Sequence, residues 1–562
     1  MRVHHNDKAA TTLCAGLGLI CVVVLLAVYA CWLNQLYYGR NGPFLDSLAY
    51  CNQLAEVLTQ SRLHGFIAGV HGGDGSTVVL PWIVASAAAC VLPVSRLDGV
   101  WFQAALLLPL LFSLYYFFRR VAGFSELRAF AAVFPFVAIH AALNFDGGLS
   151  DFRLDLSLYI LFSLTCIWCF LAMAHRRSVW PWVICGLCGG LAALARATAP
   201  AYLVVALGPV IVARLAHGRG RRAAVIGSMI AIFFAAIVCG WFFIVRFSDL
   251  HSYYFVWNRN AHAHVPFLKA LALHGRAAGA NIGWPAALLA LSFGFGQLFA
   301  AGRTLSFWRF LRSVNWAMLY VGVAPILLLA AQGSGPNPFV SMPAAFGLLL
   351  WLIFPLRRKA VGDFSLFHLS PIASVTVAVI VTAGVAVSAI GGHLRGQGCM
   401  NLMSGQRGVV DRMLADAGRR HATDIRFTTF QLGAVHSETL RNAMIYEYGF
   451  QAGAGSFSRN GLTVANDPVI TEPSEWQQVD GVDDAAKIRS LVARAGDNDD
   501  YLILPDPSCL NYLELHGFKC EMNLYAGQFR EAALAGGQWQ EIGCPIVVSP
   551  VEIVEVYRNR AR

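Results

Sequence analysis

The sequence predicts an α-helical polytopic membrane protein with about 11 transmembrane helices and a small C-terminal α/β extracytoplasmic domain. Of the 562 residues, 57% are hydrophobic and only 13% are charged, whereas a soluble globular chain is typically about 25% charged. Apolar runs of about 20 residues, long enough to cross a bilayer, recur as far as residue 391. Only 11 of the 32 acidic residues precede residue 393, so the tail differs in composition from the rest.

The apolar runs locate the predicted transmembrane helices. In chain order they lie at 10–33, 99–118, 127–143, 152–174, 179–195, 199–216, 222–247, 282–302, 314–332, 337–356 and 370–391. The N-terminal run is too long for a secretory signal and no small-x-small cleavage site follows it, which indicates an uncleaved signal anchor. A further apolar run, 78–95, is short and contains Pro81 and Pro93. We predict that 78–95 forms a helix that does not cross the membrane.

Charge sets the predicted topology. Basic residues cluster at 119–128, 176–177, 214–222, 303–312 and 357–359. Cytoplasmic loops carry an excess of Lys and Arg, and all five clusters are cytoplasmic only if 78–95 does not cross. The predicted domains are then a polytopic domain, 1–392, with a long outer loop, 34–98, and an extracytoplasmic α/β domain, 393–562. Twelve spans with the N-terminus outside is the alternative.

The tail mixes helical and strand patterns. Helical periodicity occurs around 405–420 and 484–495, and the stretches "DYLILPDP" and "PIVVSPVEIVEVY" are typical of β-strands. Four cysteines of this region could form disulfides if the tail is extracytoplasmic. They are Cys399, Cys509, Cys520 and Cys544.

The stretch "LNFDGGLSDFRLDLSLYILF" places ionisable residues where a predicted transmembrane helix begins. They are Asp146, Asp151, Arg153 and Asp155. Ser150 or Asp151 is a candidate N-cap. Because Asp151 and Asp155 are four residues apart, we expect them on one helix face with Arg153 pointing elsewhere. Capping and a structural Arg–Asp pair explain these residues in one interpretation, but ionisable groups at the end of a span are often functional.

The first outer loop, 34–98, contains a candidate general base. Asp46 follows the first predicted helix by about a dozen residues, and desolvation above a membrane can raise a carboxyl pKa into the range useful for base catalysis. Asp46 could equally be the N-cap of the following helix, which contains Glu56. In "HGGDGST" the Walker lysine is missing, although His71 and Asp74 could line the same cavity as Asp46.

Basic residues on the predicted outer side are candidates for binding an anionic lipid headgroup. Arg196 lies in a short gap between two predicted helices, where it could hold a phosphate bidentately or extend towards lipid headgroups. In the outer loop 248–281, Arg259, Lys269 or Arg276 is a candidate for the same role, with an aromatic interface belt as the alternative.

Neither a nucleic acid nor a metal is expected as a partner from the residues alone. The formal net charge of +10 comes from basic clusters between apolar runs, which is the pattern of a membrane protein. His262 and His264 are two residues apart, a spacing that suits a metal only on a strand, and Asp249 is the one carboxylate near them in sequence.

Five features occur in order between residues 10 and 220. A signal anchor precedes an outer loop with an early aspartate, and then come "RRVAGFSELRAFAAVFPF", a second outer aspartate and the helix pair around "GLCGGLAALARATAP". Together they resemble the GT-C superfamily of polytopic glycosyltransferases, which includes the protein O-mannosyltransferases and the enzymes that add aminoarabinose to lipid A. The rest of the chain resembles this superfamily in architecture.

The resemblance implies an inverting glycosyltransferase. Its donor would be a hexose or pentose on a polyprenyl phosphate, and its acceptor a lipid, glycan or protein of the cell envelope. The resemblance makes Asp46 the catalytic base, although the chain reads "DSLAY" where the family often has Asp-Glu, so Glu56 and Asp74 remain alternatives. The acid of the second outer loop corresponds to Asp146 or Asp151, and Asp151 is preferred because it leads directly into a span.

The resemblance also implies a donor site and a location. Arg196 matches an R-x-T step of the family and would contact the lipid phosphate, with Arg153 and Asp155 beside the donor. No cofactor is required, although a divalent metal occurs in some members. The chain is expected among the lipids of a bacterial inner membrane, with its C-terminal domain outside the cytoplasm.

Two other classes of function remain open. A lipid-linked glycan polymerase or transporter could use the same outer acids for substrate passage, but transporters often show paired interrupted helices from inverted repeats, and none is evident. A non-catalytic membrane scaffold predicts that replacing Asp46 and Asp151 by Asn changes no glycan.

Overall fold

A computed structural model describes most of the chain, which divides into two compact units. The described residues are 3–41, 46–72, 78–143, 148–175, 178–215, 221–252, 265–283, 288, 314–333, 339–353, 382–383, 402–429, 435, 437–453, 456–466, 484–506, 521–549 and 552–562. The first unit comprises Met1–Cys31, Gly75–Pro81 and Gly99–Gly396, and the second comprises Trp32–Asp74, Trp82–Asp98 and Gln397–Arg562.

Helices dominate the part of the chain before residue 393. They are α1 (Val3–Asn41), α2 (Asp46–His64), α3 (Phe66–Gly72), α4 (Leu80–Ala88), α5 (Asp98–Arg120), α6 (Glu126–Val133), α7 (His140–Leu143), α8 (Leu154–Ala174), α9 (Trp180–Ala195), α10 (Ala199–Leu215), α11 (Arg221–Val245), α12 (Phe247–His251), α13 (Phe267–Ile282), α14 (Val314–Gln332) and α15 (Met342–Ile353). Most coincide with the apolar runs, because a backbone in hydrocarbon must satisfy its own hydrogen bonds.

Four helical segments among the described residues are long and apolar enough to cross a membrane. They are Leu13–Gln35 within α1, Asp98–Arg120, Leu154–Ala174 and Arg221–Val245. Helices α9, α10 and α15 and the segment Trp316–Gln332 are apolar but shorter. The predicted spans 282–302 and 370–391 lie almost entirely outside the described residues, so the count of 11 stays a prediction.

One predicted span is not a continuous helix. Between 127 and 143 the chain forms α6, a 3₁₀ turn at Phe134–Phe136 and the short α7, so the prediction of a single helix here was wrong. Pro135 lies in the turn, and a proline has no N–H for the helical ladder and its ring clashes with the preceding turn. The helix in 78–95 is α4, whose nine residues span about 14 Å. This length is less than the roughly 30 Å of a bilayer's hydrocarbon core, and the topology of 78–95 stays a prediction.

Helix α8 is buried along most of its length and packs against α9 and α15. Helix α9 also packs closely on α11, where small residues let the backbones approach. A Cβ built on Gly186 would lie 2.3 Å from the carbonyl oxygen of Ala231. The rest of α11 is exposed and apolar, with Ile244 80% accessible, as expected of a helix surface that lipid covers.

The second unit contains an eight-stranded mixed sheet. Its strands are β1 (Asp424–Thr429), β2 (Gln451–Gly453), β3 (Ser456–Arg459), β4 (Leu462–Asn466), β5 (Tyr501–Pro505), β6 (Trp539–Glu541), β7 (Ile546–Ser549) and β8 (Glu552–Asn559). The order is β2-β3-β4-β1-β5-β8-β6, with β7 on β8. Strand β1 is parallel to β4 and β5, and the other pairs are antiparallel.

Helices cover both faces of this sheet. They are α16 (Leu402–Arg419), α17 (Ser437–Tyr446), α18 (Asp484–Asn498) and α19 (Glu521–Ala535). Successive residues of a strand point to opposite faces. Tyr501 therefore packs with the core of α16 and α17, and Leu502 with that of α18 and α19. The predicted C-terminal α/β fold is confirmed.

Helix α2 belongs to the second unit, where it packs against α17 and β2. Its Ala55 is fully buried in the core that α16 and α17 share. The sequence indicated only an outer loop with a helix-like stretch at this position. Of the four cysteines considered for disulfides, Cys544 is a free exposed thiol, and Cys399, Cys509 and Cys520 lie outside the described residues.

Candidate active site

The turn before α8 positions the charged residues of the 143–162 stretch. Arg153 is the N-cap of α8, with an extended backbone (φ −115°, ψ 123°), and it makes no side-chain cap hydrogen bond. The expectation that Ser150 or Asp151 caps the helix was therefore wrong. Asp151 is in the turn and not on the helix, and its carbonyl accepts a hydrogen bond of 2.8 Å from the N–H of Arg153. Asp151 is 1% exposed.

Asp155 lies between two arginines. Nε of Arg153 is 3.4 Å from Oδ2 of Asp155, and Nη2 of Arg196 is 3.4 Å from Oδ1. The prediction that Arg153 points away from the aspartates was wrong, because a residue at the N-cap can fold its side chain onto the first turn. The Asp155 side chain is 3% exposed. It lies in the first turn of α8, where the helix dipole favours a negative charge.

An aromatic ring supports the first of these arginines. The Arg153 guanidinium lies over the ring of Phe339, with Cζ 4.0 Å from the ring centroid. Such cation–π contacts strengthen when the cation is desolvated, and the Arg153 side chain is 8% exposed. The ring and Asp155 therefore fix the guanidinium from two sides.

Arg196 connects two helices, as the sequence indicated. Helix α9 ends at Ala195, Arg196 is its C-cap with extended backbone, and α10 begins at Ala199. The side chain of Arg196 is 17% exposed, against 8% for Arg153. Among the residues of this cluster Arg196 is thus the most accessible cation, and a planar guanidinium suits phosphate oxygens.

Residues of α5 hold the turn that carries Arg153. Nε2 of Gln103 donates a hydrogen bond of 2.6 Å to the carbonyl of Arg153. A Cβ on Gly99 would lie 2.4 Å from the ring of Phe152, and that ring meets Phe102 edge-on with centroids 6.1 Å apart. Sequence reasoning missed these positioning residues. The one signal was an amide, Gln103, inside an apolar run.

The end of α9 receives a second support from the segment after α3. The N–H of Val79 donates a hydrogen bond of 2.9 Å to the carbonyl of Leu194, one of the carbonyls that a helix end leaves without an intrahelical partner. This bond attaches the backbone of Val79 to α9 at Leu194, which is two residues before Arg196.

The other candidate residues are distributed as follows. Asp46 is the first residue of α2, and its side chain lies outside the described part. Asp74, Asp146 and Arg259 also lie outside it. His71 is exposed near the end of α3, and Lys269 is exposed on α13. Within the described residues, the structure brings together Arg153, Asp155 and Arg196, next to the buried Asp151.

Glu56, the alternative base, is engaged with a cation. Its Oε2 accepts a hydrogen bond of 2.7 Å from Nη2 of Arg441. Burial raises the pKa of Glu56 above its ordinary value, although Arg441 opposes this shift. A carboxylate paired with a guanidinium in this way is poorly suited to remove a proton from a substrate.

The described residues contain no group of three or more His, Cys, Asp or Glu side chains that could hold a metal ion. The predicted dispensability of a metal is not tested by this finding, because several outer segments, including His262 and His264, lie outside the described part.

Known proteins resemble this chain in fold and not in sequence. No protein-family model matches the chain, and no curated protein sequence matches it. The crystal structure of ArnT from Cupriavidus metallidurans bound to undecaprenyl phosphate aligns over 96% of this chain and 98% of ArnT, with a TM-score of 0.53 and 12% identity. The chain has the ArnT fold. ArnT in the apo state aligns over the same shares, with a TM-score of 0.53 and 13% identity.

A third structure, the arabinofuranosyltransferase AftD from Mycobacteria, aligns over 96% of this chain and 40% of AftD, with a TM-score of 0.48 and 15% identity. The ArnT fold confirms the resemblance to the GT-C superfamily at the level of the fold. Together with the apolar helices, it makes the chain an integral membrane protein.

Proposed function

We propose that this protein is an inverting glycosyltransferase. It moves a hexose or pentose from a polyprenyl-phosphate donor to a lipid, glycan or protein acceptor of the cell envelope, on the outer face of a bacterial inner membrane. The observation that carries the proposal is the Arg153–Asp155–Arg196 cluster, in which Arg153 and Asp155 are buried and Arg196 is partly accessible. It lies in a chain with the fold of ArnT, which has been crystallised with undecaprenyl phosphate.

The proposed chemistry is one displacement at the anomeric carbon. Asp46 takes the proton of the acceptor hydroxyl, the acceptor oxygen bonds to the anomeric carbon, and the bond from that carbon to the phosphate oxygen breaks. Attack opposite the leaving group inverts the configuration. Arg196 stabilises the charge that develops on the departing phosphate, since preorganised cations act most strongly where charge appears in the transition state.

Each remaining candidate has a supporting task in this proposal. Asp155 holds the two guanidiniums in place, and Asp151 helps to position the acceptor or the donor. Asp74, Asp146, His71, Arg259 and Lys269 stay candidates for substrate contacts. No nucleotide site is needed, because the phosphate remains on the lipid, and the mechanism requires no metal.

Transfer assays on single variants test the proposal. Membranes containing the chain are incubated with polyprenyl-phosphate hexose or pentose and with envelope acceptors, and labelled product is measured. Asp46→Asn should abolish transfer, and Arg196→Ala should lower kcat by about 100-fold or more, as losses of charge stabilisation do. Asp249→Asn is the matched control, because Asp249 is 56% exposed and its ion pair among the described residues is the local one with Arg246.

Wild-type transfer by both Asp46→Asn and Arg196→Ala would contradict the proposed mechanism. If Asp46→Asn and Asp151→Asn also leave every envelope glycan unchanged in cells, the protein acts as a scaffold and not as an enzyme.

A further inference from the structure

Helix α2 is held by α17 through a series of hydrogen-bonded polar side chains, of which the two central amides are buried. Asn52 of α2 and Asn442 of α17 are each 1% exposed. Nδ2 of Asn442 donates a hydrogen bond of 2.8 Å to Oδ1 of Asn52. Nδ2 of Asn52 donates to Oε2 of Glu438 at 2.7 Å and to its backbone carbonyl at 3.0 Å. At the other end, Nη2 of Arg96 donates to Oδ1 of Asn442 at 2.9 Å.

This chain of hydrogen bonds has one direction. A guanidinium only donates and an ionised carboxylate only accepts, so Arg96 fixes the oxygen of the Asn442 amide and Glu438 fixes the nitrogen of the Asn52 amide. The two amides can then meet only as nitrogen to oxygen. We call the series Arg96–Asn442–Asn52–Glu438 the amide relay. Because both amides are buried, a reversed or broken relay leaves a buried amide group unsatisfied, which is costly.

Further contacts flank the amide relay along α2. The hydroxyl of Tyr446 donates to the carbonyl of Cys51 at 2.8 Å, and Arg441 pairs with Glu56 at 2.7 Å. Helix α2 is thus fixed over residues 51–56, about one and a half turns. Asp46 begins the helix six residues, or about 9 Å, before Asn52.

We infer that Asn52 is a positioning residue for Asp46, and that α17 supplies the partner that sets its position. The inference rests on the proposed function, in which Asp46 is the base. A tilt of α2 by about 6° around Asn52 displaces the start of the helix by about 1 Å. A misplacement of this size can lower a catalytic rate about 100-fold. In this role the C-terminal α/β fold orders the catalytic base.

Two substitutions that exchange the amide of Asn52 and the carboxylate of Glu438 test the direction of the amide relay. Asn52→Asp keeps the size of the side chain but places a carboxylate against the Glu438 carboxylate. We expect kcat per folded protein to fall about 10- to 100-fold with the KM for the donor unchanged. Adding Glu438→Gln returns an amide donor to face the new carboxylate. The double variant Asn52→Asp/Glu438→Gln should recover most of the lost kcat.

The controls separate positioning from stability. A purely structural role lowers the amount of folded protein but leaves the kcat of the folded fraction at the wild-type value. Glu438→Gln alone is a control for the double variant. It measures how far kcat changes when the 3.9 Å ion pair between Glu438 and Arg441 is lost. Asn52→Ser shortens the side chain without adding charge and should show the same fall in kcat, so it replaces Asn52→Asp if the latter does not fold.

The outcomes distinguish this inference from the proposed function. If the wild type transfers sugar and Asp46→Asn does not, but Asn52→Asp or Asn52→Ser keeps the wild-type kcat, the positioning role is overturned and the function stands. A double variant as slow as the single one also overturns it. If the wild type transfers no sugar, the proposed function fails and the positioning role fails with it.

Discussion

At the scale of single residues, one carboxylate organises the candidate donor site. Asp155 is shared by Arg153 and Arg196, which come from two different helix ends. Arginines this far from water need a counter-charge, because removing one partner of a buried ion pair leaves an uncompensated charge. Asp155 is therefore expected to matter for both folding and transfer.

Asp155→Asn tests this expectation. The variant keeps the shape of the side chain but removes its charge, so we expect the free energy of unfolding in detergent to fall by about 3 kcal/mol. Transfer should also be lost. The exposed ion pair of Asp249 with Arg246 provides the comparison, since Asp249→Asn should cost less than about 1 kcal/mol. Equal losses for the two variants would contradict a special role for Asp155.

Individual residues were predictable where local sequence determines their place. The short gap between two apolar runs predicted that Arg196 lies at a helix junction. Both runs are evident from the local sequence alone, so no knowledge of tertiary contacts was needed. The side-chain direction of Arg153 was not predictable, because it depends on where α8 begins. Helix start signals pointed to Ser150 or Asp151, whereas the backbone of Arg153 is the one that is extended.

At the scale of elements, close helix packing holds the end of α9. Gly186 and Gly190 are four residues apart on the face that meets α11, the small-xxx-small spacing of membrane helix pairs. A Cβ on Gly190 would lie 2.6 Å from the side chain of Val238. Since α9 carries Arg196 at its C-cap, this packing also orients the candidate phosphate ligand.

Two glycine-to-alanine variants should change stability in opposite directions. Gly186→Ala forces the Ala231 carbonyl to move and should destabilise the protein by about 1–3 kcal/mol, as overpacking does. Gly240→Ala on α11 has nothing within 4 Å of the new Cβ and should stabilise it by about 0.5–1 kcal/mol through helix propensity. Thermal unfolding in detergent measures both. A stabilising Gly186→Ala would show that α9 and α11 are not in close contact.

Helices were predictable where apolar runs are uninterrupted, as in α8 and α11. The run 127–143 has suitable hydropathy, but Pro135 divides it into α6, the 3₁₀ turn and α7. Average hydropathy contains no information about backbone hydrogen bonds, and the proline was the signal for the break.

At the scale of the whole molecule, chain order and spatial order differ. The second unit combines Trp32–Asp74 and Trp82–Asp98 with Gln397–Arg562. The C-terminal sheet and helices were predictable, because their patterns are local. The pairing of Asn52 with Asn442 was not, since nothing in one sequence links positions 390 apart.

A cluster of three charged residues within this unit makes its stability depend on pH. Burial alone would raise the pKa of Glu447, but Arg96 and Arg407 bind its carboxylate and lower the pKa below the ordinary value of 4.5. A lowered pKa contributes stability that is present above pH 4.5 and is lost as the pH falls through the folded-state pKa. We therefore expect the free energy of unfolding to decline below about pH 4.5.

Glu447→Gln tests this pH dependence. The variant should be less stable at neutral pH, and its stability should decline less steeply below pH 4.5, as measured by denaturation at a series of pH values. Glu541→Gln is the control, because Glu541 is exposed on β6. A wild-type decline that is unchanged in Glu447→Gln would assign the acid sensitivity to another group.

The amide relay also has a consequence for synthesis. At about 5–20 residues per second, the ribosome adds Asn442 about 20 to 80 s after Asn52. During this interval α2 has been made but its partner helix does not exist, so the polar face around Asn52 can only be hydrated or held by a chaperone. A nascent chain stalled before α17 should therefore expose α2 to proteases, and completion of the tail should protect it.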